Sequence, residues 1–174
     1  MTPSILVAYA TNSGSTLEVA QAVAETLRSH GLESEVLPAG KVRALSGYAA
    51  VVLGAPLYMS RWLADARHFL SRFGGRGPLA SLPVAIFALG PFHNKAEELQ
   101  SARQQLDKQL AKYSWLKPVA VEVFAGKFDP GKLSFPYNLI LPLKKMPPSD
   151  ERDWEAIHAW SERIADVLKE KARL

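Results

Sequence analysis

Residues 4–20 read SILVAYATNSGSTLEVA. The apolar run over 4–10 has the length of a buried strand. Six small or polar uncharged residues follow: Thr11, Asn12, Ser13, Gly14, Ser15 and Thr16. Leu17, Ala20, Ala24 and Leu27, with Val23 beside them, then recur at helical spacing and predict a helix over 15–29. Ser15 and Glu18 stand three apart, the spacing of a capping box, and Gly31 predicts the stop. A strand that turns through glycine into a helix N-terminus offers unpaired amides and a positive dipole end to an anion. Gly14 predicts close backbone approach, and the hydroxyls of Thr11, Ser13, Ser15 and Thr16 are donors for phosphate oxygens. No Lys or Arg stands in the loop, so it is not a Gly-x-x-x-x-Gly-Lys phosphate loop. The Gly-x-Gly-x-x-Gly spacing of dinucleotide binders is missing too. The stretch predicts a single terminal phosphate held by neutral donors.

Working outward, the same alternation repeats along the chain. Residues 33–37 (ESEVL) predict a less apolar edge strand, and 49–55 (AAVVLGA) a buried one that Pro56 ends. A helix is predicted over 62–73, closed by Gly74-Gly75, then a strand over 82–89 broken by Gly90-Pro91. A polar helix over 95–113 with an apolar seam of Leu99, Leu106 and Leu110 follows, then a strand over 118–125 and a last helix over 150–172. Strands alternating with helices predict an α/β fold of three layers, its doubly wound five-stranded parallel sheet in the order 2-1-3-4-5. Right-handed crossovers gather the loops after strands 1, 3 and 4 at the C-terminal edge of the sheet.

Length and composition agree with one such domain over 1–174. Hydrophobic residues make up 48% and charged residues 22%, a globular rather than a disordered balance. The chain has no cysteine, which excludes thiolate metal sites and thiol nucleophiles. No apolar run approaches the roughly 18–20 residues of a membrane span, and the start lacks the pattern of a signal peptide. The expectation is a cytoplasmic protein. The net charge of +4 suits anionic partners, yet no nucleic-acid motif is present, so a nucleic-acid partner is not expected. His30, His68 and His158 are too scattered to form a metal site.

Thr-x-Ser-Gly-x-Thr after the first strand resembles the phosphate loop of the flavodoxins, which bind FMN. With Gly54-Ala55-Pro56 after the third strand, and Asp153-Trp154 entering the last helix, the chain is most similar to one flavodoxin-domain group. That group includes menaquinone-dependent protoporphyrinogen oxidase. The resemblance implies FMN as cofactor, with its phosphate on Thr11, Asn12, Ser13, Gly14, Ser15 and Thr16. It implies that Pro56, Leu57, Tyr58, Met59, Ser60 and Arg61 lie along one side of the ring system, and Leu89, Gly90, Pro91 and Phe92 along the other. Tyr58 or Met59 is the candidate to contact the ring face, and Arg61 to supply positive charge. It further implies an oxidoreductase acting on a porphyrinogen with a quinone acceptor. The alternatives are a flavodoxin-type electron carrier and a quinone reductase fed by NAD(P)H.

Three departures argue against a mobile one-electron carrier. The third loop lacks the Gly-Asp and stacking Tyr of the electron shuttles, the second lacks their ring-facing Trp, and this chain is basic where they are acidic. No side chain stands out as an acid or base; His93 is the one candidate for proton relay. The segment 126–149 (GKFDPGKLSFPYNLILPLKKMPPS) contains five prolines and is unusually long for a connection. Within it, 133–146 sets Phe135, Tyr137, Leu139, Ile140, Leu141 and Leu143 beside Lys144-Lys145. That pattern fits contact with the inner face of a membrane or a redox substrate; cover for the sheet edge or a homodimer interface is the alternative.

Overall fold

The architecture is a computed structural model that describes residues 3–172. Strand β1 (Ser4–Tyr9) leads into α1 (Ser15–Ser29), and β2 (Ser34–Pro38) into β3 (Tyr48–Tyr58). A two-residue strand β4 (Arg61–Trp62) precedes α2 (Ala64–Phe73), β5 (Val84–Leu89), α3 (Ala96–Leu110) and β6 (Ala120–Phe124). Then come β7 (Lys127–Phe128), the one-turn helix α4 (Leu141–Lys144), β8 (Ser149–Asp150) and α5 (Trp154–Ala172). The sheet order is β2-β1-β3-β5-β6, all parallel, with β4 antiparallel on β3. Counting the five long strands alone, this is the expected 2-1-3-4-5 order.

The period of two along each central strand builds two cores. Leu6 and Ala8 of β1, Val51, Leu53 and Ala55 of β3, and Val84, Ile86 and Ala88 of β5 face α2 and α3. Ile5 and Val7, Ala50 and Val52, and Ala85, Phe87 and Leu89 face α1 and α5. Nearly every one of these residues is fully buried, which explains why the strands read as unbroken apolar runs. Gly54 sits where a Cβ would lie 1.9 Å from the Phe87 ring, so the bare backbone there makes room for an aromatic cluster of Phe87, Phe124 and Trp160.

Several boundaries depart from the sequence reading. Pro56 does not end β3. It pairs with Leu89, and its carbonyl accepts the Leu63 N–H, so the strand runs on through it to Tyr58. Trp62 belongs to β4 rather than to α2. It is buried, and its indole N–H donates to the Ala55 carbonyl at 3.0 Å. Helix α3 stops at Leu110, and α5 starts at Trp154, after β8, with the Asp153 carboxylate accepting the Ala156 N–H at 2.9 Å. No side chain caps α1. Gly14 is its N-cap residue, and the Glu18 carboxylate reaches Arg152 instead of the loop.

Segment 126–149 is a strap closed at its base. Strands β7 and β8 pair antiparallel, the Glu151 N–H donates to the Gly126 carbonyl, and the Gly126 N–H donates to the Pro91 carbonyl. Arg152 then locks the base to the first loop. Its guanidinium bonds Asp150 at 2.7 and 2.8 Å, Glu18 at 2.5 Å and the Ser15 carbonyl at 3.2 Å, and stacks over the Trp154 ring.

Candidate functional site

The C-terminal edge of the sheet opens into a cleft of about 630 Å³, within the usual range for small-molecule sites. Three loops supply the expected walls. Asn12, Ser13 and Ser15 come from the first, Pro56, Leu57, Tyr58, Met59 and Ser60 from the second, and Leu89, Gly90, Pro91 and Phe92 from the third. A fourth wall, absent from the expected site, comes from the strap through Lys127, Phe128, Lys132, Leu133, Ser134, Tyr137, Ile140 and Leu143. Helix α3 adds Glu98, Ser101 and Gln105. The signal for the strap was present in its length and apolar stripe, but its side chains are far in sequence from the three loops.

Four expected residues do not line the cleft. Arg61 is exposed on β4. Thr11 turns its hydroxyl oxygen to the Gly14 N–H, at 2.9 Å, and so shapes the loop. Gly14 has a φ of 90°, while a Cβ there would meet nothing within 4 Å. Its glycine suits this left-handed backbone, and no other part of the chain crowds the position. Thr16 is fully buried at the start of α1.

The hydroxyl of Thr16 tests whether the loop fits a phosphate ester. Among the described residues, two buried side-chain polar atoms lack a partner, Thr16 Oγ1 and Asn138 Oδ1, and both lie in the segments that frame the cleft. An unpaired buried hydroxyl is costly unless something else bonds it. The first amides of α1 have no intrahelical acceptor and, without a side-chain cap, stay free for one. Uncapped amides and an orphan hydroxyl at one helix start suit an anion with several oxygens. The residues present therefore fit the phosphate of FMN.

The second loop is a two-residue hairpin turn. Met59 and Ser60 have φ of 46° and 66°, and Tyr58 pairs with Arg61 across it. Positive φ at both central residues is the turn that matches strand twist, usually made by Asn-Gly. Here a methionine, 79% exposed, stands at the tip. Tyr58, behind it, packs on Tyr137 of the strap with ring centroids 5.6 Å apart. Burial pushes the Tyr58 phenol above its ordinary pKa, against the opposing pull of the Ser13 hydroxyl, so it stays neutral in the physiological range. His93 is exposed and does not itself line the cleft, but it contacts Glu98, which does, at 3.1 Å. Among the described residues, no group of three or more His, Cys, Asp or Glu could hold a metal ion.

A doubly wound α/β protein with an anion-receiving first loop and two flanking loops at the sheet's C-terminal edge is flavodoxin-like. A family model described as "Flavodoxin domain" matches residues 6–143, and the chain belongs to that family. Membership implies FMN as the cofactor and electron transfer as the general activity. No curated protein matches the chain. Solved structures agree on the fold. Oxidised flavodoxin 2 from Bacillus cereus is similar at a TM-score of 0.57 and 18% identity, over 97% of this chain and 99% of its own. The flavodoxin of Streptococcus pneumoniae TIGR4 is similar at 0.58 and 15%, over 96% and 98%. Rubredoxin oxygen:oxidoreductase from Desulfovibrio gigas is similar at 0.56 and 16%, over 98% of this chain; that span is 37% of its own length. At these identities the likeness is one of fold.

Proposed function

We propose that the protein is an FMN-dependent oxidoreductase whose redox partner is a small, largely apolar molecule of the quinone or porphyrinogen kind, admitted to the same cleft. The observation that carries this reading is the fourth wall. Leu133, Tyr137, Ile140 and Leu143 line the same cleft as Pro56, Leu57, Leu89 and Phe92, with Lys127, Lys132, Glu98 and Asp129 as its charged residues. Predominantly apolar walls suit a flat organic molecule.

When bound, FMN supplies the reversible uptake and release of electrons. Holding it falls to the chain. The first-turn amides of α1 and the Thr16 hydroxyl would receive the phosphate. The hairpin at Met59-Ser60 and the loop from Leu89 to Phe92 would flank the ring. Tyr58 and Tyr137 pack the strap onto the hairpin. The net exchange moves two electrons and two protons from the donor to a quinone, which leaves as its hydroquinone. No side chain is assigned as acid or base.

A second reading is an electron carrier that docks on another protein. The family match and the flavodoxins among the solved structures stand nearer to this reading than to an enzyme. The exposed Met59 tip also favours it, since a bare rim suits docking. Calorimetry with FMN comes first, and absence of heat overturns both readings. A reductive titration of the FMN-loaded protein then separates them. The enzyme takes up both electrons together and is reoxidised by a water-soluble naphthoquinone at a saturable rate. The carrier takes them one at a time and shows no saturation.

A further inference from the structure

The large apolar side chains that are exposed among the described residues are Met59, Phe92, Phe135, Leu139, Ile140 and Leu141. They are not scattered. Met59, Phe92 and Ile140 line the cleft, and the other three lie in the strap that forms its fourth wall. Phe135, Leu139 and Leu141 are 76%, 67% and 65% exposed, so they project from the surface rather than line a hollow. Clustering of this kind marks an interaction site, whereas single exposed apolar residues do not.

The charge of the strap is predominantly positive. Lys132, Lys144 and Lys145 are exposed in the same strap. Against them the strap carries one carboxylate, Asp129, which lines the cleft and accepts the Gly131 N–H; Asp150, just past the strap, bonds Arg152. We propose that the apolar face of the strap around Phe135, Leu139 and Leu141, with its exposed lysines, docks on an anionic lipid bilayer and sets the mouth of the cleft against the membrane. Projecting apolar side chains enter the headgroup region, and lysines meet lipid phosphates at the same depth. Docking would be peripheral, because no helix among the described residues is long and apolar enough to cross a membrane. The docking itself does not depend on the oxidoreductase reading. If that reading holds, an apolar partner would pass from bilayer to cleft without crossing water.

Co-sedimentation of the full chain with vesicles tests this, with and without FMN. One set of vesicles is pure phosphatidylcholine, and the other contains equal amounts of phosphatidylcholine and phosphatidylglycerol. The expected result is binding to the anionic vesicles that weakens with added salt. Leu139→Ser with Leu141→Ser is expected to lower binding about ten-fold or more, while melting temperature and FMN affinity stay at wild-type values. Lys144→Glu with Lys145→Glu is expected to abolish the preference for anionic lipid, at roughly five-fold or more per charge. Three outcomes overturn the proposal. One is no vesicle binding by the wild-type chain. Another is equal binding by wild type and the serine variant. The last is a wild-type dimer, absent from vesicles, that the serine variant dissociates, since the face would then be covered by a second copy.

Discussion

At the scale of the residue, Thr16 is the most informative side chain. Its hydroxyl is buried and unpaired in the structure, although a valine would fill the same volume without that cost. Thr16→Val is therefore expected to leave the flavin-free protein equally stable, or slightly more so. FMN binding is expected to weaken by about 1.5–3 kcal/mol, since a hydrogen bond to a charged oxygen is lost. Thermal melting of the flavin-free protein and calorimetry with FMN measure the two effects separately. Unchanged FMN affinity would remove Thr16 from the site. Thr16 was legible in the sequence as a hydroxyl beside a glycine, but that it lacks a partner was not. Burial decides that, and burial depends on helices packed from elsewhere in the chain. Glu18 shows the opposite error. Its spacing from Ser15 fits a capping box, yet Arg152, more than a hundred residues away, takes its carboxylate. A local rule lost to a distant charge that was itself nearly buried.

At the scale of the element, the strap and α1 are coupled through one guanidinium. The Arg152 side chain is 3% exposed, while those of Glu18 and Asp150 are 49% and 41% exposed. Removing the arginine leaves two carboxylates that water can reach, so the cost falls below the 3–5 kcal/mol of a fully buried broken pair. Arg152→Met is expected to destabilise the protein by about 1–3 kcal/mol and to expose the strap to limited proteolysis first. A strap cut no faster in the variant would refute the coupling. The pH dependence follows from Asp150, whose carboxyl is held below the usual carboxylate range chiefly by the hydrogen bond from Arg152. A lowered folded value means that the contribution is complete above about pH 4 and fades as pH falls through that lowered value. The gap in stability between wild type and variant should thus hold at neutral pH and narrow only in acid. Denaturant unfolding at stepped pH measures it. Helix and strand periodicity placed these elements to within a few residues. Where it failed, Pro56 is held in strand by pairing with β5, and Trp62 is held off α2 by the bond from its indole N–H to the Ala55 carbonyl.

At the scale of the whole molecule, ligand binding reads out on global stability. At FMN about a hundred-fold above its dissociation constant, linkage adds about 2.7 kcal/mol. For a chain of this length that raises the melting temperature by roughly 5–10 °C. Riboflavin, which lacks the phosphate, is expected to give a clearly smaller shift at equal concentration. Equal shifts would show that the loop from Thr11 to Thr16 does not hold the phosphate. The basic charge that the composition records is spread over the chain, and its local concentration in the strap gains meaning only beside the exposed leucines and the cleft.

The sequence by itself determined the alternation of strands and helices, the order of the sheet, the loop that turns into α1, and the edge at which three loops meet. Those follow from periodicity, glycine and the handedness of crossovers, which leave a trace in the order of residues along the chain. Only the tertiary structure decided that the strap is a wall of the cleft, that Arg152 ties it to the first loop, and that Thr16 is left without a partner while Thr11 is not. Each of these depends on packing between segments far apart in the chain, where burial and distance set the energy of a charge or a hydroxyl, and no residue pattern records such distances.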